Sequence, residues 1–283
     1  MKKQYISIFF AGMTFVLLPG TSSAQIEGFK KIKWEKEKIA PGLIWKSCHT
    51  YLNDSVPQNI NLLIVNLKKR EIGLIHNPEK NVRTSIQASE AGAIAAVNAG
   101  FFNVKNGGSV SYLKMSGRIV DSDTAKKWLR NSNLNGALMI SSSGEVMIGK
   151  RLPNSWYDSH PEYDDILVTG PLLVEDGTLS RLPETSLVTN KHPRTSAGIR
   201  NSKKVILMTL DGRAEEAAGM TLNELAEFMM LLRCRDAINF DGGGSTTMWI
   251  SNKPFNGVVN MPSDNKKFDH EGERAVANIL VIR

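Results

Sequence analysis

KVILMTLDGRAEEAAGMTLNELAEFMMLLRCRDAINFDGGGSTTMWI, residues 204–250, presents an apolar run, a polar loop, a helical stripe, a second apolar run and three glycines, in that order. Lys204 to Leu210 predicts a strand that stops at Asp211-Gly212-Arg213. Thr221 and Glu224 have capping-box spacing, and Leu222, Leu225, Phe228, Met229 and Leu232 recur at helical intervals, so a helix follows whose apolar stripe is core packing. Ala237 to Phe240 predicts a second short strand that ends at Asp241. Strand, helix and strand over roughly forty residues form a βαβ unit, whose two strands point the same way. Asp211 and Asp241 are therefore expected at one edge, the carboxyl edge where α/β sheets place their ligand crevices.

The glycines at 242–244 admit two uses. Ordered glycine is entropically costly, so a run of three marks either a tight turn or a place where something approaches the main chain closely. Ser245 to Ile250 reads as a further strand, and a P-loop or dinucleotide fingerprint would need a helix there. A structural turn and an anion-binding nest of Gly242, Gly243 and Gly244 amides both stay open. Arg194, in KHPRTSAGI, enters an apolar strand after Pro193; it is either an ion-pair residue or, beside such a nest, a bidentate ligand for phosphate or carboxylate. Arg213 and Arg274 carry the same two readings. Glu216, in RAEEAAG, could join the two aspartates as acid, base or nucleophile in glycoside cleavage, or as an oxygen ligand for Mg²⁺ or Ca²⁺. Its plainer reading, shared with Glu215, is a favourable charge near a helix N-terminus.

Further toward the N-terminus, NINLLIVNLKKREIGLIHN (59–77) predicts a hairpin turning at Lys68-Lys69-Arg70. In TSIQASEAGAIAAVNAGFFN (84–103), Thr84 and Gln87 have capping-box spacing, Gly92 ends a short helix, and Ala93 to Val97 is a buried strand with Asn98 at its carboxyl end. If that strand is parallel to the βαβ strands, the Asn98 amide joins the same rim. Residues 107–182 read as strands and long loops. The fold class that follows is α/β or α+β, a mixed, twisted β-sheet with a C-terminal βαβ unit and additional antiparallel strands.

MKKQYISIFFAGMTFVLLPGTSSAQ, at the start, has two lysines, an apolar run and small residues before Ala24, the layout of a secretory signal peptide spanning residues 1–24. The run is too short to span a bilayer. The expected organisation is that leader, an N-terminal extension over 25–59 and a catalytic domain over 60–283, in a chain exported to the periplasm or medium. The net charge of +7 falls to +5 once Lys2 and Lys3 are set aside. Lysines 30, 31, 33, 36 and 38 alternate with Ile32, Trp34, Glu35 and Glu37, which reads as a solvated strand face and not a nucleic-acid site. Cys48 and Cys234 could pair in an oxidising compartment or stay buried thiols. No CxxC, HExxH or HxH occurs, which argues against a zinc site.

VNAGFFN, HPRTSAGI, LDGR, AGMTLNELAEFM and AINFDGGGSTTMWI, followed by VVNMPSD and ERAVANILVI, resemble the phosphodiester glycosidase family over residues 60–283. The resemblance implies an exported hydrolase that cleaves between a sugar anomeric carbon and a phosphodiester, acting on a phosphorylated glycan or sugar phosphodiester. It puts Asn98, Arg194, Asp211, Arg213, Glu216, Asp241, Gly242 and Gly243 in the active-site region, with Gly244 completing the cradle. Asp211, Glu216 and Asp241 are the catalytic candidates and the others bind substrate. No cofactor is required, although Mg²⁺ or Ca²⁺ fits a metal-assisted phosphodiesterase, one alternative; a non-catalytic phosphoglycan binder is the other. Ala217, where relatives often have serine, and Arg233, where they often have glycine, depart from the pattern.

Overall fold

A computed structural model describes residues 28–29, 32–52, 55–77, 79–122 and 132–283. The expected leader, 1–24, and residues 25–27, 30–31 and 53–54 of the expected extension lie outside the described residues. The first part of the chain supplies β1 (Glu35–Ala40), β2 (Leu43–Leu52), β3 (Val56–Asn66), β4 (Ile72–His76), β5 (Val82–Arg83), helix α1 (Thr84–Glu90) and β6 (Ala95–Asn98). The middle supplies β7 (Leu113–Met115), β8 (Arg118–Asp121), β9 (Gly136–Ser141), β10 (Val146–Lys150), α2 (Asn154–Asp158), β11 (Tyr163–Thr169), β12 (Leu172–Glu175), β13 (Thr178–Leu179) and α3 (Ser186–Thr189). The last third contains β14 (Arg194–Asn201), β15 (Lys204–Leu210), α4 (Leu222–Leu231), β16 (Asp236–Asn239), β17 (Met248–Ile250), β18 (Ala275–Val276) and β19 (Asn278–Ile282).

An eight-stranded sheet runs β1-β2-β3-β15-β14-β16-β12-β13, with every neighbouring pair antiparallel. β15 and β16 thus point the same way, as the βαβ reading requires, but β14 is inserted between them and runs against both. Val205 to Met208 is apolar without alternation because both faces of β15 are covered. Val205 and Leu207 enter a core shared with a five-stranded sheet, β10-β9-β11-β7-β8, and a four-stranded sheet, β17-β6-β19-β4. Ile206, Met208 and Leu210 enter a second core closed by Leu222, Leu225, Phe228 and Met229 of α4. Layers of antiparallel strands with α4 packed on the large sheet and α1 on β6 and β19 make this an α+β fold. The capping box of α4 forms as its spacing predicts: Glu224 N–H donates to Thr221 Oγ1 (3.2 Å) and Thr221 N–H donates to Glu224 Oε2 (2.7 Å).

Several local expectations are corrected. β3 and β4 do not form a hairpin: β2 and β15 occupy both edges of β3, so the chain passes into the four-stranded sheet, where β4 pairs with β19. The Thr84 hydroxyl makes no cap and is buried without a partner. The Glu273 carboxylate takes its place, accepting Ser85 N–H at 2.7 Å and Ser85 Oγ–H at 2.6 Å. β6 lies between β17 and β19, so Asn98 arrives at the rim from a different sheet than β15 and β16. Residues 243–245 are a 3₁₀ turn, leaving only Met248–Ile250 as strand. Residues 35–52, inside the expected extension, form β1 and β2 and hydrogen-bond directly onto β3. Glu35 to Lys38 face solvent, as the alternating charges predict. Cys48 and Cys234 are buried free thiols, each pushed up to about 12 by burial.

Gly198 in β14 lets α4 and the segment after it sit directly on the sheet. A Cβ there would lie 2.6 Å from both Cys234 Sγ and Met229 Cε. Gly198→Ala is expected to destabilise the fold by about 1–3 kcal/mol through overpacking, read as a lower Tm, and Gly198→Ala/Cys234→Ala to recover part of the loss.

Candidate active site

Three chain ends meet at one rim because β14 is antiparallel to both neighbours. Arg194, the first residue of β14, pairs with Leu210, the last of β15, so Arg194 begins where Asp211 follows and where β16 leads to Asp241. The rim is packed at backbone level: Gly243 N–H donates to Pro193 O (2.9 Å), and a Cβ at Gly212 would lie 2.9 Å from Gly219 Cα.

The two aspartates differ in what surrounds them. Asp211 is fully buried and accepts Asn260 Nδ2–H at 2.8 Å on Oδ1, with Asn59 Nδ2–H at 2.7 Å and Met261 N–H at 3.0 Å on Oδ2. Burial pushes its carboxyl up to about 6 against those three donors. Asn260 also donates to Thr246 O (3.0 Å) and accepts Met248 N–H (2.7 Å), so Asp211 ties β15 to the segment after the glycines. Asp241 is partly exposed, and only Gly242 N–H, at 3.0 Å, is within main-chain reach of its carboxylate. Its carboxyl is also pushed up to about 6: enclosure raises it, while Ser245, Arg274, the Gly242 amide and Arg213 pull it back down.

Asn98 acts from beneath. Its Nδ2–H donates to Asp241 O at 2.7 Å, and its Oδ1 accepts Thr195 Oγ1–H at 2.7 Å and Thr247 N–H at 3.1 Å. Both oxygen lone pairs are thereby spent inside the protein, so this side chain fixes the main chain on either side of the glycine turn.

The glycines are needed for close approach. A Cβ at Gly242 would stand 2.6 Å from Pro193 O, one at Gly243 2.9 Å from Arg213 Nη2, and one at Gly244 2.5 Å from both Arg274 Nη2 and Asp264 Oδ1. Gly243 also has φ +61°, a left-handed conformation that favours glycine. Two of the three amides expected to face an anion are engaged internally, Gly242 with Asp241 and Gly243 with Pro193. What the turn admits is two guanidinium groups lying against its backbone, beside the Asp241 carboxylate. Arg274 is held there by Asp264, to which its Nε donates at 2.9 Å.

Arg194 is 1% exposed, and its guanidinium serves carbonyls: Nε–H donates to Met220 O (2.9 Å), and Nη2 to Leu187 O (2.8 Å) and Asn190 O (2.7 Å). Among the described residues its Nη1 pair makes no such bond. Burial and the nearby Arg213 charge bring it down to about 10, against Glu224. Arg213 is exposed, with φ +65°, and lines an open groove of about 520 Å³ together with Glu215, Glu216, Lys266 and Phe268. Glu216 is therefore near Arg213, exposed and on the groove wall. Asn59, Asn260, Asp264, Lys266 and Phe268 were not singled out from sequence; of these, Asn260 and Asp264, both inside VVNMPSD, had a motif to mark them. Among the described residues no three His, Cys, Asp or Glu side chains stand close enough to hold a metal ion, and no helix is long and apolar enough to cross a membrane.

Known proteins share this architecture. The catalytic domain of zebrafish N-acetylglucosamine-1-phosphodiester alpha-N-acetylglucosaminidase, in a structure auto-inhibited by its pro-peptide, superposes with a TM-score of 0.68 at 18% identity, covering 89% of this chain and 88% of that one. A hypothetical protein from Synechocystis gives 0.63 at 12% identity, over 89% of this chain and 64% of that one. In sequence, the enzyme of the same name from Bos taurus is 25% identical over 191 residues, 62% of this chain and 34% of its own length. The Mus musculus enzyme is 27% identical over 191 residues, 62% of this chain and 35% of its own, so the chain spans about a third of these curated relatives. The profile of the phosphodiester glycosidase family matches residues 91–283, and the chain belongs to that family.

Proposed function

We propose that the protein is an exported phosphodiester glycosidase that hydrolyses the bond between the anomeric carbon of a sugar and a phosphodiester oxygen. The observation that carries this reading is the Asp241 carboxylate, partly exposed on a glycine turn against which the Arg213 and Arg274 guanidiniums lie. The leaving group is a phosphate monoester whose second ionisation lies near ~6, so it needs little protonation and much charge stabilisation. Arg213 and the Nη1 pair of Arg194 meet that need. Asp241 attacks the anomeric carbon or takes a proton from the attacking water; the C–O bond breaks and its electron pair leaves on the phosphate. Glu216, on the groove wall, handles the second proton. Asp211, enclosed and triply hydrogen-bonded, positions Asn260 and the turn. The names of the bovine, mouse and zebrafish relatives support a sugar 1-phosphodiester as substrate, and residues 1–24 support export.

Asp241→Asn is expected to fold with a Tm near that of the wild type while sugar release from a sugar 1-phosphodiester falls by about 10²–10³-fold. Asp211→Asn sets an N–H against at least one N–H donor in a buried site and is expected to cost about 1–3 kcal/mol of stability, seen as a lower Tm. Near-normal turnover by Asp241→Asn overturns the assignment. In ¹⁸O-labelled water the label is expected in the sugar; label in the phosphate would mean P–O cleavage.

Because Asp241 acts ionised and its carboxyl sits at about 6, kcat/KM is expected to fall below about pH 6. Arg274 pulls that carboxyl down, so Arg274→Gln should move the acid limb to higher pH. Stability runs the other way. Both raised carboxyls bind protons more tightly folded than unfolded, so their contribution is complete below about pH 4 and is lost as pH rises through about 6. Tm measured from pH 4 to 7 checks this sign. N-terminal sequencing of the protein recovered outside the cytoplasm is expected to begin at Gln25.

A further inference from the structure

Phe255 follows β17 and exposes 62% of its surface, although it is a large apolar side chain within a short walk of the rim. One face of its ring is covered by the His270 ring, with centroids 4.1 Å apart and planes at 14°. The turn that presents it is held in a conformation L residues disfavour: Phe255 has φ +56° and Asn256 φ +53°. Trp249 Nε1–H fixes that turn by donating to Asn256 O at 2.7 Å. The His270 side chain is fixed in turn, its Nδ1 lying 2.8 Å from Asn260 O. Asn260 is the residue that holds Asp211, so two hydrogen-bonded contacts join the exposed ring to the candidate site. Phe268, two residues before His270, lines the groove beside Arg213.

From this arrangement we infer that the Phe255–His270 pair is a sugar-binding shelf, a subsite for a pyranose ring of a glycan chain that continues past the groove. The inference rests on the phosphodiester glycosidase reading for the direction of the chain, not for the shelf itself. A lipid or an apolar peptide buries a contiguous hydrophobic patch. Phe255 is instead a single ring, with exposed Pro254 and Asn256 on either side of it in the chain and exposed Glu271 next to His270. A pyranose fits both features: its C–H face lies on the electron-rich face of one aromatic ring while its hydroxyls reach the polar rim. Pre-stacking on His270 holds the Phe255 ring in one orientation, so little side-chain freedom is lost when a sugar lands on it.

Direct binding tests the shelf without turnover. Titrating the wild-type protein with chitotriose, maltotriose and mannotriose is expected to show binding of at least one, weakened about tenfold by Phe255→Ala and restored by Phe255→Trp, with Tm unchanged. Binding of none of the three, or equal binding by the alanine variant, overturns the shelf whatever the enzyme cleaves. In a second arm, a sugar 1-phosphodiester with a methyl aglycone is compared with one whose aglycone is the trisaccharide bound. Phe255→Ala should raise KM for the second about tenfold, leave KM for the first and both kcat values within twofold, and any equal effect on both substrates overturns the subsite. Absence of cleavage of either substrate by wild type counts against the glycosidase reading alone, because the titration still decides the shelf.

Discussion

One strand inserted backwards organises the molecule. A βαβ unit alone would bring two carboxyl ends to an edge, with Asp211, Arg213 and Asp241 in the loops that follow them. Because β14 runs antiparallel between β15 and β16, its amino end opens on that same edge and delivers Pro193 and Arg194 between Asp211 and Asp241. Positive and negative groups are thus set side by side by hydrogen-bond register, before any side-chain contact is counted. The two cores, one above and one below this sheet, fix the register, since a slip of one residue would turn Val205 and Leu207 into the wrong layer.

Much of this was legible in the sequence, and the physical reason is locality. The Thr221–Glu224 capping box, the α4 stripe and the common edge of Asp211 and Asp241 depend on residues close in the chain or on a chirality rule. What sequence missed depends on distant partners. Thr84 had the spacing of a cap, but Glu273, 188 residues away from Ser85, supplies the acceptor that the spacing assigned to the Thr84 hydroxyl. β3 and β4 had the look of a hairpin because nothing local reveals that both edges of β3 are already taken. Asn260 stands in a recognisable motif, yet nothing in its surroundings along the chain says that it holds Asp211.

The two aspartates were indistinguishable as letters and differ as environments. Three donors and complete burial make Asp211 a fastener, whereas an open flank and two neighbouring guanidiniums leave Asp241 to face whatever enters. Burial raises both carboxyls, and the opposing pull differs: hydrogen bonds alone at Asp211, hydrogen bonds from Ser245 and Gly242 together with the Arg274 and Arg213 charges at Asp241. The second kind is sensitive to salt and to any change at Arg213 or Arg274, and the first is not.

The glycine turn also limits how this protein can change over generations. A side chain at 242 would collide with the Pro193 backbone, and one at 243 or 244 would displace Arg213 or the Arg274–Asp264 pair, so substitution in the floor of the site disturbs the groups beside Asp241. New preferences then come from the walls, at exposed positions such as Glu215 and Lys266 that carry no such obligation. Divergent relatives would then share a nearly invariant floor beneath strongly dissimilar walls, and would differ in what they recognise far more than in what they do to it.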